Sequence, residues 1–291
     1  MKVIRADVLG FCMGVQRAVN LASAEAKKGF NVYTLGPMIH NPRVLADLKS
    51  LGVNSIDRPE ELLRGENCTV IIRAHGIEPG VESDLHALGI RIADATCPNV
   101  KANQLKAEEL TRAGYYLFLA GESKHAEIKG IMGYANTSFC AVVGNAREAG
   151  KAAKKLYNIN NNAKTALLGQ TTISEDEYTA ISESIRLFFP NLEIIQTICS
   201  ATRERQIALR QLLDQAEAVI IAGGRDSANT NRLLAIAQKS NKPCVLAEDI
   251  NEIPPAFFNY STIGLCAGAS TPDCVIDEIE RELINNSKKR T

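Results

Sequence analysis

The feature that most constrains the fold of this chain is a pattern that occurs three times along it. An apolar, strand-like segment is followed by a short loop with a cysteine, and then by an amphipathic, helix-like segment. The three cysteines are Cys12, Cys97 and Cys199, and their spacing divides the chain into thirds. The order and spacing of the segments, rather than matching letters, therefore predict a threefold structural repeat.

The same order of elements continues inside each third. A second strand–loop–helix segment, a short strand with an acidic turn, and a last strand–loop–helix segment follow. Alternating strands and helices of these lengths predict parallel sheets covered by helices. We expect an α/β fold of three similar domains, 1–97, 98–196 and 197–291, with mainly parallel sheets in a pseudo-threefold arrangement. The last cysteine-linked helix has the apolar stripe of a packed helix, at Leu209, Leu212, Leu213 and Ala216.

Charge and composition argue against several classes of partner. The chain has 33 Lys and Arg against 33 Asp and Glu, so no net field attracts nucleic acid or a membrane surface. No apolar run approaches the ~20 residues that span a bilayer. The charged N-terminal segment does not resemble a signal peptide, which predicts a cytoplasmic protein. The basic cluster at residues 288–290 is predicted to be a solvated tail.

Eight cysteines in a reducing compartment are not expected to form a disulfide framework. The five cysteines outside the repeat are expected to be small buried hydrophobic residues. The sequence supports this expectation least for the last two, Cys266 and Cys274. These five are Cys68, Cys140, Cys244, Cys266 and Cys274.

Polar residues collect in the loops that follow the predicted strands. Ligands of open α/β sheets bind beyond the carboxyl ends of the strands, so these loops predict a common cavity if the three units close around one axis. Three of the four histidines fall in this set, whereas His86 lies inside a predicted helix. The loop residues are Cys12, His40, Asn41, His75, Cys97, His125, Glu127, Thr171, Thr172, Cys199, Ser227, Asn229 and Ser270.

Three cysteines at predicted helix N-termini indicate a metal site, because the helix dipole and free N–H groups favour thiolates. Zinc with a histidine as fourth ligand is one alternative. An iron–sulfur cluster is the other, and with three cysteines it leaves one iron open to substrate. The residue types alone leave both alternatives open.

The remaining loop residues indicate an anion site with one acid. Helix N-termini and neutral serine, threonine, asparagine and histidine donors bind phosphate without Lys or Arg. Glu127 is the one acid that we place in the cavity. Desolvation there is expected to raise its pKa and let it donate a proton.

Nine short motifs occur in the order typical of one enzyme family along nearly the whole chain. They are GFCMGVQRAV, LGPMIHNP, RAHG, DATCP, HAE, QTT, TICSATRERQ, SANTNRL and AGAS. Each is weak alone, but the ordered set is specific. On these motifs the chain resembles the 4-hydroxy-3-methylbut-2-enyl diphosphate reductase family of the methylerythritol phosphate route to isoprenoids.

The resemblance implies a three-domain trefoil around a central 4Fe-4S cluster held by Cys12, Cys97 and Cys199, with the fourth iron open to substrate. It further implies that one set of residues holds the diphosphate: His40, His75, Ser227, Asn229 and Ser270. His125 and Thr171 are implied to line the substrate site, with Thr172 as an alternative to Thr171. Glu127 is implied to supply protons.

The reaction that the resemblance implies is reductive dehydroxylation. The substrate's allylic hydroxyl binds the open iron, two electrons arrive one at a time, water departs, and isopentenyl and dimethylallyl diphosphate form. Ferredoxin or flavodoxin is the implied electron donor, because GGRDSAN lacks the spacing of a dinucleotide fingerprint.

Three positions depart from the family's pattern. Ala126 replaces a proline, which loosens its loop but keeps both neighbouring functional groups. Ala228 replaces a serine, and the lost hydroxyl predicts somewhat weaker diphosphate binding. Ser200 replaces the usual asparagine after the third cysteine.

Two other functions are compatible with the residue types. One is a zinc-dependent hydrolase or lyase that acts on a small phosphorylated metabolite. The other is a non-catalytic redox or phosphometabolite sensor, against which the absence of an appended effector or DNA-binding segment argues.

Overall fold

The computed structural model describes residues 1–288, and in that range it has twelve strands and ten α-helices. The strands are β1 (Lys2–Arg5), β2 (Asn31–Leu35), β3 (Val53–Ile56), β4 (Cys68–Ile72), β5 (Arg91–Asp94), β6 (Tyr116–Ala120), β7 (Cys140–Val143), β8 (Thr165–Gly169), β9 (Glu193–Ile194), β10 (Ala218–Ala222), β11 (Cys244–Ala247) and β12 (Thr262–Ala267). The helices are α1 (Met13–Ala26), α2 (Pro42–Ser50), α3 (Pro79–Ala87), α4 (Pro98–Arg112), α5 (Ala126–Tyr134), α6 (Ala146–Ile159), α7 (Glu175–Arg186), α8 (Ser200–Gln215), α9 (Ala228–Gln238) and α10 (Asp273–Lys288). Residues 289 and 290 of the predicted basic tail lie outside the described residues.

The strands form three sheets of four strands each, and every neighbouring pair is parallel. The strand orders are β1-β12-β10-β11, β3-β2-β4-β5 and β7-β6-β8-β9. Strands β4, β8 and β10 are buried at every position, as expected for strands covered by helices on both faces. The predicted α/β fold with mainly parallel sheets is confirmed.

The first strand does not join the sheet of the strands that follow it in the chain. Lys2–Arg5 pair with residues 262–265 of β12. The predicted first domain, 1–97, contains β1 together with β2–β5, but the sequence made no prediction of which strands pair. An amphipathic pattern identifies a strand but not its neighbour. In its sheet, β1 takes the edge position that β5 and β9 take in theirs, and each of these three strands leads towards a cysteine of the repeat.

The chain divides into two compact units. The first unit contains residues 1–16, 39–50 and 200 onward, with the sheet β1-β12-β10-β11. The second unit contains residues 17–38 and 51–199, with the other two sheets. The sequence predicted three units with boundaries near 97 and 197, and those boundaries stay a prediction.

Apolar clusters on both faces of the sheet form the core of the first unit. One cluster joins β10 and β12 to α10, where Ile276, Ile279 and Leu283 are fully buried. The other packs α8 and α9 against the opposite face. It contains the predicted stripe of Leu209, Leu212, Leu213 and Ala216, which is buried as expected.

The second unit has a similar arrangement in the sheet β7-β6-β8-β9. Helices α6 and α7 cover one face, where Phe118 and Leu167 are fully buried among their side chains. Helices α4 and α5 contribute Leu110 and Ile131 to the cluster on the other face. Within the described part of the chain, no helix has both the length and the apolar character that crossing a bilayer requires.

The five cysteines outside the repeat have different environments. Cys68 and Cys266 are buried, as predicted, and Cys140 and Cys244 are half-buried in strands. Cys274, however, is exposed, so the prediction of a buried hydrophobe is wrong there. It follows the first residue of α10, whose buried face is made by Ile276, Ile279 and Leu283. His86 lies inside α3, as predicted.

Candidate functional site

Each cysteine of the repeat lies directly before a helix. Cys12 precedes α1, Cys97 is the N-cap of α4 and Cys199 precedes α8. All three residues are half-buried. The N–H groups of Cys12, Cys97 and Cys199 donate hydrogen bonds of 3.1, 3.0 and 3.0 Å to the carbonyl oxygens of Ala269, Ala74 and Thr171, respectively.

The three carbonyl acceptors occupy equivalent places in the fold. Each lies two residues beyond the end of a strand, in the loops that follow β12, β4 and β8. Two of these loops continue directly into predicted site residues, Ser270 and His75, and in the third loop the acceptor is itself the predicted residue Thr171. The predicted threefold repeat is therefore also present in the backbone hydrogen bonds of the three cysteines. Cys12 belongs to the first unit, and Cys97 and Cys199 belong to the second.

The chemistry of these thiols fits an iron–sulfur group. A helix N-terminus stabilises a thiolate through its dipole and its free N–H groups. In the second unit, the side-chain amide of Asn99 also donates a hydrogen bond of 3.1 Å to the sulfur of Cys199. Hydrogen bonds to ligand sulfurs are among the factors that set the potential of iron–sulfur clusters. The sequence did not predict a role for Asn99, although it lies two residues after Cys97.

The other cysteines are chemically distinct. Burial raises the pKa of Cys140 and of Cys266 to about 12, and it also raises the pKa values of Cys68 and Cys244. These thiols stay protonated near neutral pH, whereas a metal ligand must be a thiolate. The four buried or half-buried strand cysteines are therefore poor ligand candidates.

A second set of predicted residues lies at the N-caps of three helices. The side chains of Asn41, His125 and Ser227 accept hydrogen bonds from backbone N–H groups in the first turns of α2, α5 and α9. Each helix follows the first strand after a cysteine of the repeat: β2 after Cys12, β6 after Cys97 and β10 after Cys199. Such caps fix the loop against its helix, because they satisfy N–H groups that have no partner within the helix.

In the second unit, Glu127 is held by Thr171. The carboxyl group is 1% exposed, and one of its oxygens accepts a hydrogen bond of 2.7 Å from the N–H of Thr171. Its other oxygen accepts a hydrogen bond of 2.8 Å from the Thr171 hydroxyl. Burial disfavours a charged carboxylate and the two donors favour it. Both oxygens have a fixed position as a result.

Thr171 and Thr172 differ in their partners. The Thr172 hydroxyl accepts a hydrogen bond of 2.9 Å from the side-chain amide of Gln170. The two hydrogen bonds to Glu127 come from Thr171 instead. Gln170 is fully buried and its side-chain carbonyl accepts a bond from the N–H of Glu122. Gln170 therefore orders the loop, and Thr171 is the threonine in contact with the acid.

Two of the three histidines of the second unit, His75 and His125, lie against each other. The rings of His75 and His125 have centroids 5.2 Å apart and an interplanar angle of 88°. Nδ1 of His125 accepts a hydrogen bond of 3.2 Å from the N–H of Glu127. An accepting Nδ1 carries no proton, so a neutral His125 presents N–H at Nε2.

In the first unit, the loop with His40 packs on the loops that follow β10 and β12. The Ser270 hydroxyl donates a hydrogen bond of 3.4 Å to the carbonyl of His40. Gly224 also lies against that carbonyl, so closely that a side chain at this position would collide with it. The glycine is required because of this close approach.

Asn229 has an unusual environment in the first unit. It is 4% exposed, yet neither its side-chain nitrogen nor its side-chain oxygen has a hydrogen-bond partner among the described residues. The Thr230 hydroxyl beside it is also buried without a partner. An unsatisfied buried polar group costs about 1–3 kcal/mol, so such groups indicate a ligand or a bound water. The sequence predicted Asn229 and missed Thr230, which lies in the same SANTNRL motif.

The chain is similar to known proteins along nearly its whole length. A family model described as LytB protein matches residues 3–284. A 4-hydroxy-3-methylbut-2-enyl diphosphate reductase from Treponema denticola is 42% identical over 291 residues, which cover 98% of this chain and 99% of that protein. A protein of the same name from Aquifex aeolicus is 38% identical over 285 residues, with 97% and 95% of the two chains covered.

Solved structures give the same result. The E-1-hydroxy-2-methyl-but-2-enyl-4-diphosphate reductase from Plasmodium falciparum matches with a TM-score of 0.90 at 26% identity, covering 97% of this chain and 87% of that chain. A structure of (E)-4-hydroxy-3-methyl-but-2-enyl diphosphate reductase matches with a TM-score of 0.69 at 38% identity, covering 98% and 100%. Because the family model spans nearly the whole sequence, this chain belongs to the LytB protein family.

Proposed function

We propose that this chain converts 4-hydroxy-3-methylbut-2-enyl diphosphate into isopentenyl and dimethylallyl diphosphate. The relatives named for this reductase activity match over nearly their whole length. The reaction breaks the allylic C–O bond, forms a C–H bond, consumes two electrons and two protons, and releases water. The observation in this chain that carries the proposal is the threefold arrangement of half-buried cysteines, each fixed at a helix start by an equivalent hydrogen bond.

In this proposal Cys12, Cys97 and Cys199 bind one 4Fe-4S cluster whose fourth iron has no protein ligand. When bound, such a cluster supplies electrons one at a time, and its open iron acts as a Lewis acid. The chain supplies thiols with a fixed backbone and one N–H donor to sulfur, from Asn99. Ferredoxin or flavodoxin in the cytoplasm is the proposed electron donor.

Glu127 and Thr171 are the proposed proton donors to the leaving oxygen. For proton delivery the carboxyl group of Glu127 is protonated and donates along the 2.8 Å contact to the Thr171 hydroxyl, whose own proton passes to the leaving oxygen. Burial keeps bulk water from the pair, so the proton has a defined route. His125 is proposed to line the substrate beside this pair.

The proposed diphosphate ligands are neutral groups and histidines: His40, His75, Ser227, Asn229 and Ser270. Support comes from the first unit, where the Asn229 amide has unused donor and acceptor capacity at the start of an eleven-residue helix. Helix N-termini bind phosphate groups through N–H donors and the helix dipole. This explains how a chain with no net charge can hold a ligand with several negative charges.

The proposal is tested by anaerobic purification followed by iron analysis, visible and electron paramagnetic resonance spectra, and product detection with a chemical reductant. We expect a brown protein with about four irons, by the composition of the cluster, and both five-carbon diphosphates as products. A colourless protein with bound zinc contradicts the proposal. A protein with a cluster but no turnover of the substrate indicates the sensor function instead.

Two cysteine variants, one at a proposed iron ligand and one at an exposed position, test the assignment of the ligands. Cys97→Ser is expected to remove the cluster spectrum and all turnover, because a serine oxygen is a poor iron ligand. Cys274→Ser changes an exposed cysteine at a helix start and is expected to leave both unchanged. Equal effects of the two variants would contradict the assignment of the ligands.

A further inference from the structure

Arg205 in α8 is a buried cation without a counter-ion. It is 2% exposed, and among residues 1–288 it has no ion pair with a carboxylate. Its two terminal nitrogens donate to backbone carbonyls, and its Nε is buried without a hydrogen-bond partner. Arginine is rarely fully buried unless it is paired, because the desolvation of a charge costs several kcal/mol. The position therefore calls for an anion that the protein side chains do not supply.

The two carbonyl acceptors show where Arg205 acts. One nitrogen donates 2.8 Å to the carbonyl of Ala201, in the first turn of α8. The other donates 2.7 Å to the carbonyl of Gly10, in the loop that leads to Cys12. Helix α8 begins one residue after Cys199. The guanidinium thus ties the Cys12 loop to the helix start that follows the third cysteine.

The neighbouring ionisable groups do not neutralise this cation. Cys266 interacts electrostatically with Arg205, but burial raises the pKa of this thiol to about 12, so it stays neutral near neutral pH. The carboxylate of Asp273 lies close to Gly10, 2.6 Å from the position that a Cβ atom on this glycine would occupy. Asp273 is exposed to solvent, however, and does not pair with Arg205.

We propose that Arg205 is a positioning residue and counter-charge for the iron–sulfur cluster, which it serves by fixing the Cys12 loop and by balancing the charge of the thiolates. This inference rests on the proposed function. Three thiolate ligands make a bound cluster a net anion, and each added electron increases its negative charge. A buried cation near the ligand loop favours the reduced state, because little solvent screens the interaction.

The test is a redox titration of the loaded enzyme, followed by electron paramagnetic resonance. Arg205→Met is expected to lower the midpoint potential, so that reduction is about tenfold less favourable, which is about 59 mV for one electron. Arg205→Lys keeps the charge but not the planar fork, so we expect a potential near that of the unchanged enzyme and faster loss of iron in air. Arg210→Met removes an exposed cation from the same helix and is the matched control, with no expected shift.

The outcomes separate this inference from the proposed function. If the unmodified enzyme contains no iron after anaerobic purification, the proposed function is wrong, and this inference is wrong with it. A loaded Arg205→Met enzyme with an unchanged potential overturns the inference alone. If Arg205→Met does not retain iron, Arg205→Gln takes its place as the neutral variant. Iron retained in Arg205→Lys but in neither neutral variant supports the counter-charge role. Iron lost from all three variants overturns the counter-charge role and leaves Arg205 only the role of fixing the Cys12 loop.

Discussion

Glu127 and Asn229 are both almost completely buried, but their hydrogen bonding is opposite. Both oxygens of Glu127 accept hydrogen bonds from Thr171 within the second unit. Neither polar atom of the Asn229 side chain has a partner among the described residues. A reacting acid benefits from a fixed position before substrate arrives, whereas a group that recognises substrate must keep its hydrogen bonds available. The contrast supports the proposed roles, chemistry for Glu127 and substrate recognition for Asn229.

The largest expected effect is that of Glu127→Gln. The amide cannot release a proton, so kcat should fall by about 10²–10⁴-fold, the usual contribution of a general acid. Cluster content and substrate affinity should be unchanged, because an amide retains the shape of the side chain. Single-turnover kinetics and iron analysis measure both. Glu122→Gln, an exposed neighbour in the same loop, is the control, and retained activity in Glu127→Gln would remove this acid from the mechanism.

Thr171→Val tests whether the acid is held in place before substrate binds. The change removes the hydroxyl donor but keeps the backbone donor, so the free energy of unfolding without ligand should fall by about 1–2 kcal/mol. The kcat should also decrease. Urea unfolding and steady-state kinetics check the two effects. Thr172→Val keeps the Glu127 contacts and is expected to leave kcat within about twofold; a larger loss there than in Thr171→Val would reverse the assignment of the two threonines.

Asn229→Leu is expected to have the opposite pattern. The amide has no partner to lose, so the free energy of unfolding without ligand should not decrease. Affinity for inorganic diphosphate, measured by calorimetry, should fall by about tenfold, because about 1.4 kcal/mol of hydrogen bonding is lost. Gln238→Leu, at an exposed position near the end of the same helix, is the control. Destabilisation without a loss of affinity would indicate a structural role for Asn229.

Ala126→Pro is expected to have the smallest effect and tests the rigidity of the acid's loop. Ala126 is the first residue of α5, where proline is favoured, and His125 has the extended conformation (φ −68°, ψ 138°) that a residue before proline requires. The free energy of unfolding should rise by about 0.4–1 kcal/mol, because proline restricts the unfolded chain. Ala126→Gly should have the opposite sign. A loss of stability in the proline variant would mean that the loop has a different conformation in solution.

The sequence was sufficient to predict the elements that position the site. The recurrence of a strand, a cysteine loop and a helix is a local pattern, and the helix starts after Cys12, Cys97 and Cys199 follow from it. Asn41 and Ser227 were predicted as residues of the loops that follow strands. Their N-cap roles are a finding of the structure and agree with the preference for short polar side chains at such positions.

The remaining features depend on contacts between distant segments. Nothing in the letters around β1 indicates that its neighbour is β12, more than 250 residues away in the chain. The bonds between Thr171 and Glu127, and between Arg205 and Gly10, join separate loops for the same reason. Cys274 was misassigned because a cysteine near a helix start gives no sign of which face of the helix it occupies.

Because β1 pairs with β12, the sheet of the first unit cannot be completed until β12 has been synthesised. Strand β1 is synthesised more than 250 residues ahead of β12, which is its partner strand among residues 1–288. The hydrogen bond from the N–H of Cys12 to the carbonyl oxygen of Ala269 likewise forms only after that segment has been synthesised. Such long-range pairing is slow to form. The second unit, by contrast, contains no residue beyond 199, so the backbone positions of Cys97 and Cys199 within it need no later segment, whereas that of Cys12 depends on residues 262–269.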